Sequence, residues 1–373
     1  MQNLKIYWHP AYRQQLPSFY NEESFRRVRA FHESMPEYAP TPLVSLDNLA
    51  KTLGVKGIYV KDESKRFGLN AFKALGATYA LGVLLSQHPE IKEVVTATDG
   101  NHGRAVAWAA HRAGRHATVF MPRGTAQARL ENIRKIGTTD AEILDKVYDD
   151  CVRHAAKFAK DTGAALVQDT AFEGYREIPR NIVLGYSTMA AEAADALDAQ
   201  NIAPTHVFLQ AGVGSMAGGV TAYLAHRYGD NPPVFATMEA FNTPCIYESL
   251  MKGRPISACY SDYTAMAGLN CGEANPDILP VLNEYAEYCI QCPDEATYEG
   301  MRRLAHPMPG DEPIVSGESG AVGIGVLTRL MLDSSLEVWK QRMCLDENSV
   351  ILLFSTEGDT DPENYRRVVG EDE

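Results

Sequence analysis

The chain has 373 residues, 45% of them hydrophobic and 22% charged, with a formal net charge of −13. That length is enough to bury a sizeable core and points to two domains or one large α/β unit, while the acidic balance argues against nucleic acid and acidic membrane surfaces as partners. No run reaches the roughly 18 apolar residues of a membrane helix, and Met1 to Trp8 lack the apolar stretch of a secretory signal. Seven cysteines, an odd number spread from Cys151 to Cys344, do not read as a disulfide framework, so a reducing cytoplasm is the expected setting.

Residues 1 to 40 are polar, aromatic and Pro-containing, and are expected to be partly irregular. Thr41-Pro42-Leu43 opens an extended piece, and a helix follows from Leu46 to Leu53. An apolar run, Gly57 to Val60, and a charged link, Lys61 to Arg66, lead to Gly68-Leu69-Asn70-Ala71-Phe72-Lys73. From Ala74 to Leu85 the pattern is a continuous, Ala- and Leu-rich helix. Asn70 stands where an N-cap would stand, which puts Lys73 in the first turn of an apolar helix. Both the helix dipole and burial there would lower the lysine's proton affinity and make it a nucleophile towards a carbonyl. The competing reading is a lysine that snorkels to water.

From Glu93 the pattern becomes regular. Strands at 94–97, 117–121, 141–144 and 165–167 alternate with helices at 102–113, 126–136 and 148–160, as in βαβ units on a parallel sheet. A long helix is expected from Ile178 to Leu197. Further strands fall at 205–210, 234–238 and 350–354, with an apolar helix from Ala321 to Met331. Asn242 to Gly317 is less regular and reads as loops and short elements. Within it Cys289 and Cys292 lie in a strand and point to opposite faces, as buried thiols rather than metal ligands. No spacing suggests a metal site, and nothing in the sequence decides whether Cys245 and Cys271 pair.

Three loops carry chemistry. Ala211-Gly212-Val213-Gly214-Ser215-Met216-Ala217 joins a strand to a helix, a place where backbone N–H groups cradle a phosphate. It also matches the G-x-G-x-x-A dinucleotide fingerprint, with Glu239 at a plausible distance for a ribose, so an NAD-dependent dehydrogenase is a second reading and a ligand-free tight turn a third. Thr98-Asp99-Gly100-Asn101-His102-Gly103 also joins strand to helix, at the carboxyl end of a parallel strand where open α/β sheets bind ligands. An Asx turn capping the helix would account for Asp99 and Asn101 as well. Ser355-Thr356-Glu357-Gly358-Asp359 ends the last strand with a hydroxyl able to meet a heterocycle nitrogen.

The order of these parts resembles the pyridoxal-phosphate enzymes of the tryptophan synthase β-subunit fold, fold type II. Threonine dehydratases and serine racemases have a [Ser/Asn]-Phe-Lys motif, a Ser-Gly-Asn-His loop, a glycine-rich phosphate loop and a late Ser-Gly-Gly-Asn. Here they stand as Ala71-Phe72-Lys73, Asp99-Gly100-Asn101-His102, Gly212 to Gly219, and Ser355 to Asp359. Ser319-Gly320-Ala321 resembles a further element of the set. The likeness spans about residues 41 to 360. Asp99 in place of serine, together with Gln168-Asp169-Thr170-Ala171-Phe172-Glu173-Gly174-Tyr175, is similar to the diaminopropionate ammonia-lyases.

The resemblance implies an α/β fold of two parallel-sheet domains, residues 1–92 with 180–373 forming the large one and 93–179 a small one inserted in it. It implies pyridoxal 5'-phosphate as cofactor, carried by Lys73 beside Phe72. Asn101 would face its phenolate oxygen, Gly212, Val213, Gly214, Ser215 and Met216 its phosphate, and Thr356 its ring nitrogen. The substrate would be an amino acid, 2,3-diaminopropionate, and the assembly a homodimer. Asp99 and Asp169 are the expected acid–base pair, with a negative charge suited to a β-ammonium group. One base on one face of the cofactor cannot serve both enantiomers efficiently without rebinding the substrate, so both enantiomers are expected substrates, with Asp99 more important for D and Asp169 for both. A threonine or serine dehydratase of the same fold is the alternative.

Overall fold

The computed structural model describes residues 3–258 and 263–370. In chain order, β1 (Lys5–Trp8), α1 (Glu22–Glu33), β2 (Leu43–Ser45), α2 (Asp47–Leu53) and β3 (Gly57–Asp62) lead through a short 3₁₀ stretch to α3 (Lys73–Gln87). Then come β4 (Glu93–Ala97), α4 (Asn101–Arg112), β5 (His116–Met121), α5 (Gln127–Arg134), β6 (Thr139–Ile143), α6 (Tyr148–Thr162) and β7 (Ala165–Leu166). The chain continues through α7 (Glu177–Gly185), α8 (Ser187–Asp198), β8 (His206–Gln210), α9 (Ser215–Tyr228), β9 (Val234–Ala240) and α10 (Cys245–Lys252). Last are α11 (Leu279–Tyr285), β10 (Ala286–Cys292), α12 (Asp294–Ala305), α13 (Glu318–Leu332), α14 (Glu337–Arg342), β11 (Val350–Ser355) and α15 (Pro362–Val369).

The strands make two sheets. One has seven strands in the order β1-β10-β9-β8-β11-β3-β2, the other four in the order β6-β5-β4-β7. The inner strands of the large sheet and all of the small one are parallel, and only the edge strands β1 and β2 pair antiparallel. Every residue of β8 and of β11 is buried. A parallel strand covered on both faces has no polar side to show, which is why Val350 to Phe354 reads as an unbroken apolar run. Helix α3 is buried from Ala74 to Leu81 and packs against α4 on one side and α7 on the other. It therefore sits at the seam between the small-sheet elements and the rest, with Lys73 as its first residue.

Two expectations need correction, and two stretches gain detail. Asn70 is not the cap of α3; Phe72 is, and Asn70 has φ of 57° while its amide donates to Asp359 Oδ1. Asn tolerates that left-handed conformation, so it serves the turn rather than the helix end. The long helix at 178–197 is broken into α7 and α8, where Ser187 Oγ donates back to Leu184 O beside Gly185. A Gly/Ser pair with such a back-bond is a recognised cause of a kink. Residues 1–40 contain β1, which adds an edge strand to β10, and α1, capped by Asn21. Asn242–Gly317 holds α10, α11 and α12 as well as β10; residues 259–262 of that stretch lie outside the described residues.

A cluster of buried charges lies behind the segment that precedes Lys73. Lys61 Nζ meets Glu192 Oε2 at 2.5 Å and Thr41 O at 2.6 Å; Arg66 meets Glu63 at 2.8 Å and Glu192 at 2.7 Å. The side chains of all four are 0–1% exposed. They join the 3₁₀ stretch to α8. Removing one partner from such a cluster strands a buried charge, at a cost of about 3–5 kcal/mol.

Candidate active site

One cleft collects the carboxyl-end loops of both sheets. It is lined by Phe72 and Lys73 from the start of α3, Thr98 to His102 from the β4–α4 loop, Asp169 after β7, Gln210 to Met216 from the β8–α9 loop, and Thr356 and Glu357 after β11. Every site residue expected from the sequence is in that lining, although the positions span nearly 300 residues of chain. The loops are stitched together. Phe72 N donates to Thr356 O at 3.1 Å, Gly358 N to Asn70 O at 3.0 Å, and Asn101 Nδ2 to Glu357 Oε2.

Lys73 Nζ lies 2.5 Å from Asp169 Oδ2. Burial alone would lower the lysine's proton affinity, as the sequence suggested, but the Asp169 carboxylate, aided by Tyr186, outweighs it and holds Lys73 above its ordinary value. In this state the ammonium is ion-paired, not a free nucleophile. Asp169 responds in kind: burial pushes it up, and Lys73 and His102 together with hydrogen bonds from Lys73 and Tyr148 hold it well below the usual carboxylate range. Tyr148 OH is 3.3 Å from Asp169 Oδ1 and accepts from Gln168 Nε2 at 3.0 Å. Gln168 in turn is fixed by Ala97 N at 2.9 Å.

Asp99 has no side-chain hydrogen bond among the described residues. Burial pushes its carboxyl up to about 7, against the pull of Arg129 and with a further push from Asp169. It does not cap α4. Gly100 is at the cap position, and Thr98 Oγ1 accepts from Gly100 N at 2.8 Å and Gly103 N at 3.0 Å. Thr98 does what the Asx reading assigned to Asp99. Gly100 has φ of 146°, and a Cβ there would come within 3.0 Å of Arg129 Cδ, so the loop needs a glycine.

The β8–α9 loop has the features of an anion cradle. The N–H groups of Gly212, Val213, Gly214, Ser215 and Met216 have no acceptor among the described residues. They precede or open α9, whose N-terminus adds positive potential. Gly214 has φ of 89°, and a Cβ at Gly212 would press within 2.7 Å of Gly268 O. The Ser215 hydroxyl is turned away: it donates to Asp169 O at 2.6 Å and accepts from Asn275 Nδ2 at 2.9 Å. Thr356 Oγ1 accepts from Gln210 Nε2 at 3.0 Å, which leaves its own proton to offer an unprotonated heterocycle nitrogen. Free amides, such a hydroxyl and a lysine gathered in one cleft are a donor set that fits a phosphorylated pyridine aldehyde.

Glu239 does not fit the nicotinamide reading. Both its oxygens are spent on the backbone N–H groups of Ile246 and Tyr247, at 2.7 and 2.6 Å, at the start of α10. Burial pushes it up to about 8. It is outside the cleft lining. Cys245 and Cys271 are free thiols, Cys245 donating to Gly212 O at 3.3 Å. Residues that sequence reasoning missed include Arg129 on α5, Tyr148 at the start of α6, and Glu357. Tyr148 and Glu357 stand next to predicted element ends and were legible by position. Arg129 was not, since it sits inside an unremarkable polar helix.

The pyridoxal-phosphate dependent enzyme family matches residues 35–345. The chain is 43% identical over 369 residues to diaminopropionate ammonia-lyase of Escherichia coli (strain K12), covering 94% of this chain and 92% of that one. It is 44% identical to the Salmonella typhimurium enzyme of the same name, covering 94% and 93%. A crystal structure of the Escherichia coli enzyme, in complex with an aminoacrylate–PLP azomethine reaction intermediate, superposes with a TM-score of 0.94 at 42% identity, over 99% of this chain and 97% of that one. The chain belongs to the pyridoxal-phosphate dependent enzymes and, among them, with the diaminopropionate ammonia-lyases; its α/β fold is that of fold type II.

Proposed function

We infer that this member of the pyridoxal-phosphate dependent enzymes is a carbon–nitrogen lyase that converts 2,3-diaminopropionate to pyruvate and two ammonia. The observation that carries the reading is the pair of carboxylates, Asp99 and Asp169, on opposite protonation footings in the cleft that holds Lys73 and the amide cradle. Two acids pushed apart in proton affinity supply an acid and a base at one pH. Their negative charge also suits a substrate with two ammonium groups. A dehydratase would have no use for that charge, and the relatives at 43–44% identity are ammonia-lyases.

The cofactor supplies an electron sink for the pair left when the Cα–H bond breaks. Lys73 holds it in place, with Phe72 beside the lysine, and Gly212 to Met216 grip its phosphate through their backbone. Asn101 would donate through Nδ2 to the cofactor's phenolate oxygen, and Thr356 would offer its hydroxyl proton to the ring nitrogen. Asp169, beside Lys73, is needed with both enantiomers and takes or returns the Cα proton where the substrate presents it on that side. Asp99 does so from its own side and serves the D substrate. We assign residues 93–179 to a small domain and 1–92 with 180–373 to a large one. The assembly is read as a cytoplasmic homodimer, in line with the acidic charge and free thiols, and light scattering in solution checks it. The deciding experiment is pyruvate release from D- and L-diaminopropionate compared with D- and L-serine. Serine turned over as fast as the diamine would favour the dehydratase.

A further inference from the structure

His102 occupies the second position of α4, with its ring 4% exposed. Its Nε2 is 2.9 Å from Val167 O. A carbonyl oxygen can only accept, so Nε2 carries the ring's proton and Nδ1 is the bare nitrogen. That nitrogen is buried, has no hydrogen-bond partner among the described residues, and lies 3.8 Å from Asp169 Oδ2. Ionised Asp169 cannot partner it, because both atoms are acceptors. Protonated Asp169 can. The carboxyl's other oxygen is already engaged by Tyr148 OH and Gln168 Nε2, at 3.3 and 3.4 Å. Oδ2 is thus the oxygen left to take a proton once Lys73 is engaged with the cofactor.

We propose that His102 Nδ1 is the acceptor that holds the proton of Asp169 during turnover, making His102 a positioning residue for the reaction rather than a packing histidine. The proton comes from the substrate's Cα–H bond, sits on Asp169 Oδ2, and is donated as a hydrogen bond to Nδ1. It leaves from the same oxygen. No proton is transferred to the ring, and no bond to His102 forms or breaks. The charged groups that face the ring are Asp169 and Lys73. Burial lowers the ring's proton affinity most, and the neutral imidazole this favours is the form that accepts. The neutral ring has a partner for Nδ1 only when Asp169 is protonated, which favours that state; the protonated ring, whose charge would hold Asp169 down, is the form that burial disfavours.

The proposal rests on the reading of Asp169 as a proton carrier, and the test separates the two. If the parent enzyme makes no pyruvate from either enantiomer of diaminopropionate, the functional reading fails. If it does, His102→Gln tests the histidine, because a carboxamide keeps a donor for Val167 O and removes the ring nitrogen. The expected result is a kcat lower by about 10-fold or more with KM little changed, and an acid limb of the rate profile moved to lower pH. A second readout needs no turnover. In ¹⁵N-histidine spectra the His102 Nδ1 resonance should be that of a bare nitrogen in the parent. It should move in the hydrogen-bonded direction in Asp169→Asn, whose amide N–H stands in for the protonated acid. Parent-like kinetics in His102→Gln, a protonated Nδ1 in the parent, or a resonance that Asp169→Asn leaves in place would each overturn the proposal.

Discussion

Asp169 and Asp99 line the same cleft and have opposite surroundings. Asp169 is met on one oxygen by Lys73 at 2.5 Å and on the other by Tyr148 at 3.3 Å, and stays ionised. Asp99 is half-buried and has only the help of Arg129, yet the cost of burial wins. The difference lies in what their neighbours donate: the better buried of the two is the one that stays ionised. The wall that holds Asp169 is a network running through Gln168 to the backbone of β4. The wall that holds Asp99 is a glycine turn in which the Thr98 hydroxyl accepts from Gly100 N and Gly103 N.

Breaking the stronger wall should have the largest effect. Lys73→Ala removes the cofactor's anchor and the partner of Asp169, and kcat/KM should fall by at least about 10³-fold. Borohydride reduction followed by peptide mapping should place the cofactor on Lys73 in the parent; a label on another lysine would sink the assignment. Asp99→Asn comes next. It should cost about 10²-fold in kcat/KM on D-diaminopropionate and much less on the L form. Equal losses on both, or a parent inactive on the D form, would remove the assignment of one carboxylate to each face.

Asp99 also makes a pH prediction for the cofactor-free chain. Its carboxyl is pushed up to about 7 from an ordinary 3.8, so folding binds a proton that the unfolded chain does not in that window. Stability from this group is present at low pH and is lost as pH rises through about 7. Asp99→Asn should therefore melt above the parent at pH 8, with the gap closing as the pH falls towards about 4. A constant difference across that range would mean the carboxyl titrates normally. Gly214→Val tests the cradle apart from either acid. Its φ of 89° and a Cβ 2.8 Å from Ile246 Cδ1 cost about 1–2 kcal/mol of strain, and the cofactor should be lost on dialysis. The smallest effect belongs to Thr98→Val, which removes the cap of α4. It should cost about 0.5–2 kcal/mol in stability and leave the D-to-L activity ratio unchanged.

The same contrast marks what the sequence could show. The α/β alternation and all the carboxyl-end loops were legible, because buried parallel strands and glycine turns impose local patterns on residues such as Val350–Phe354 and Gly212–Gly214. Position within those loops also brought Lys73, Asp99, Asn101, Asp169 and Thr356 together. What stayed hidden depends on partners far away in the chain. The ion pair that raises Lys73 joins residues 73 and 169 and reversed the expected direction of its shift. Asn70 looked like a cap because its distant partner, Asp359, leaves no local trace. Helix α12 was missed although Ala296, Thr297, Gly300, Met301 and Leu304 recur on one face at helical spacing, because three of those five are small or polar residues that carry little apolar signal.

The buried cluster of Lys61, Glu63, Arg66 and Glu192 bears on attempts to harden this enzyme against heat. Replacing buried ions with well-packed apolar side chains often raises a melting point, and an automated redesign would be drawn to these four. Yet Arg66 stands at the head of the turn that delivers Lys73, and its bonds to Glu63 and Glu192 fix that turn to α8. A greasy substitute could fold in good yield and survive boiling while its lysine rests an ångström from where it is needed. Screens of such libraries should therefore score colour before they score melting.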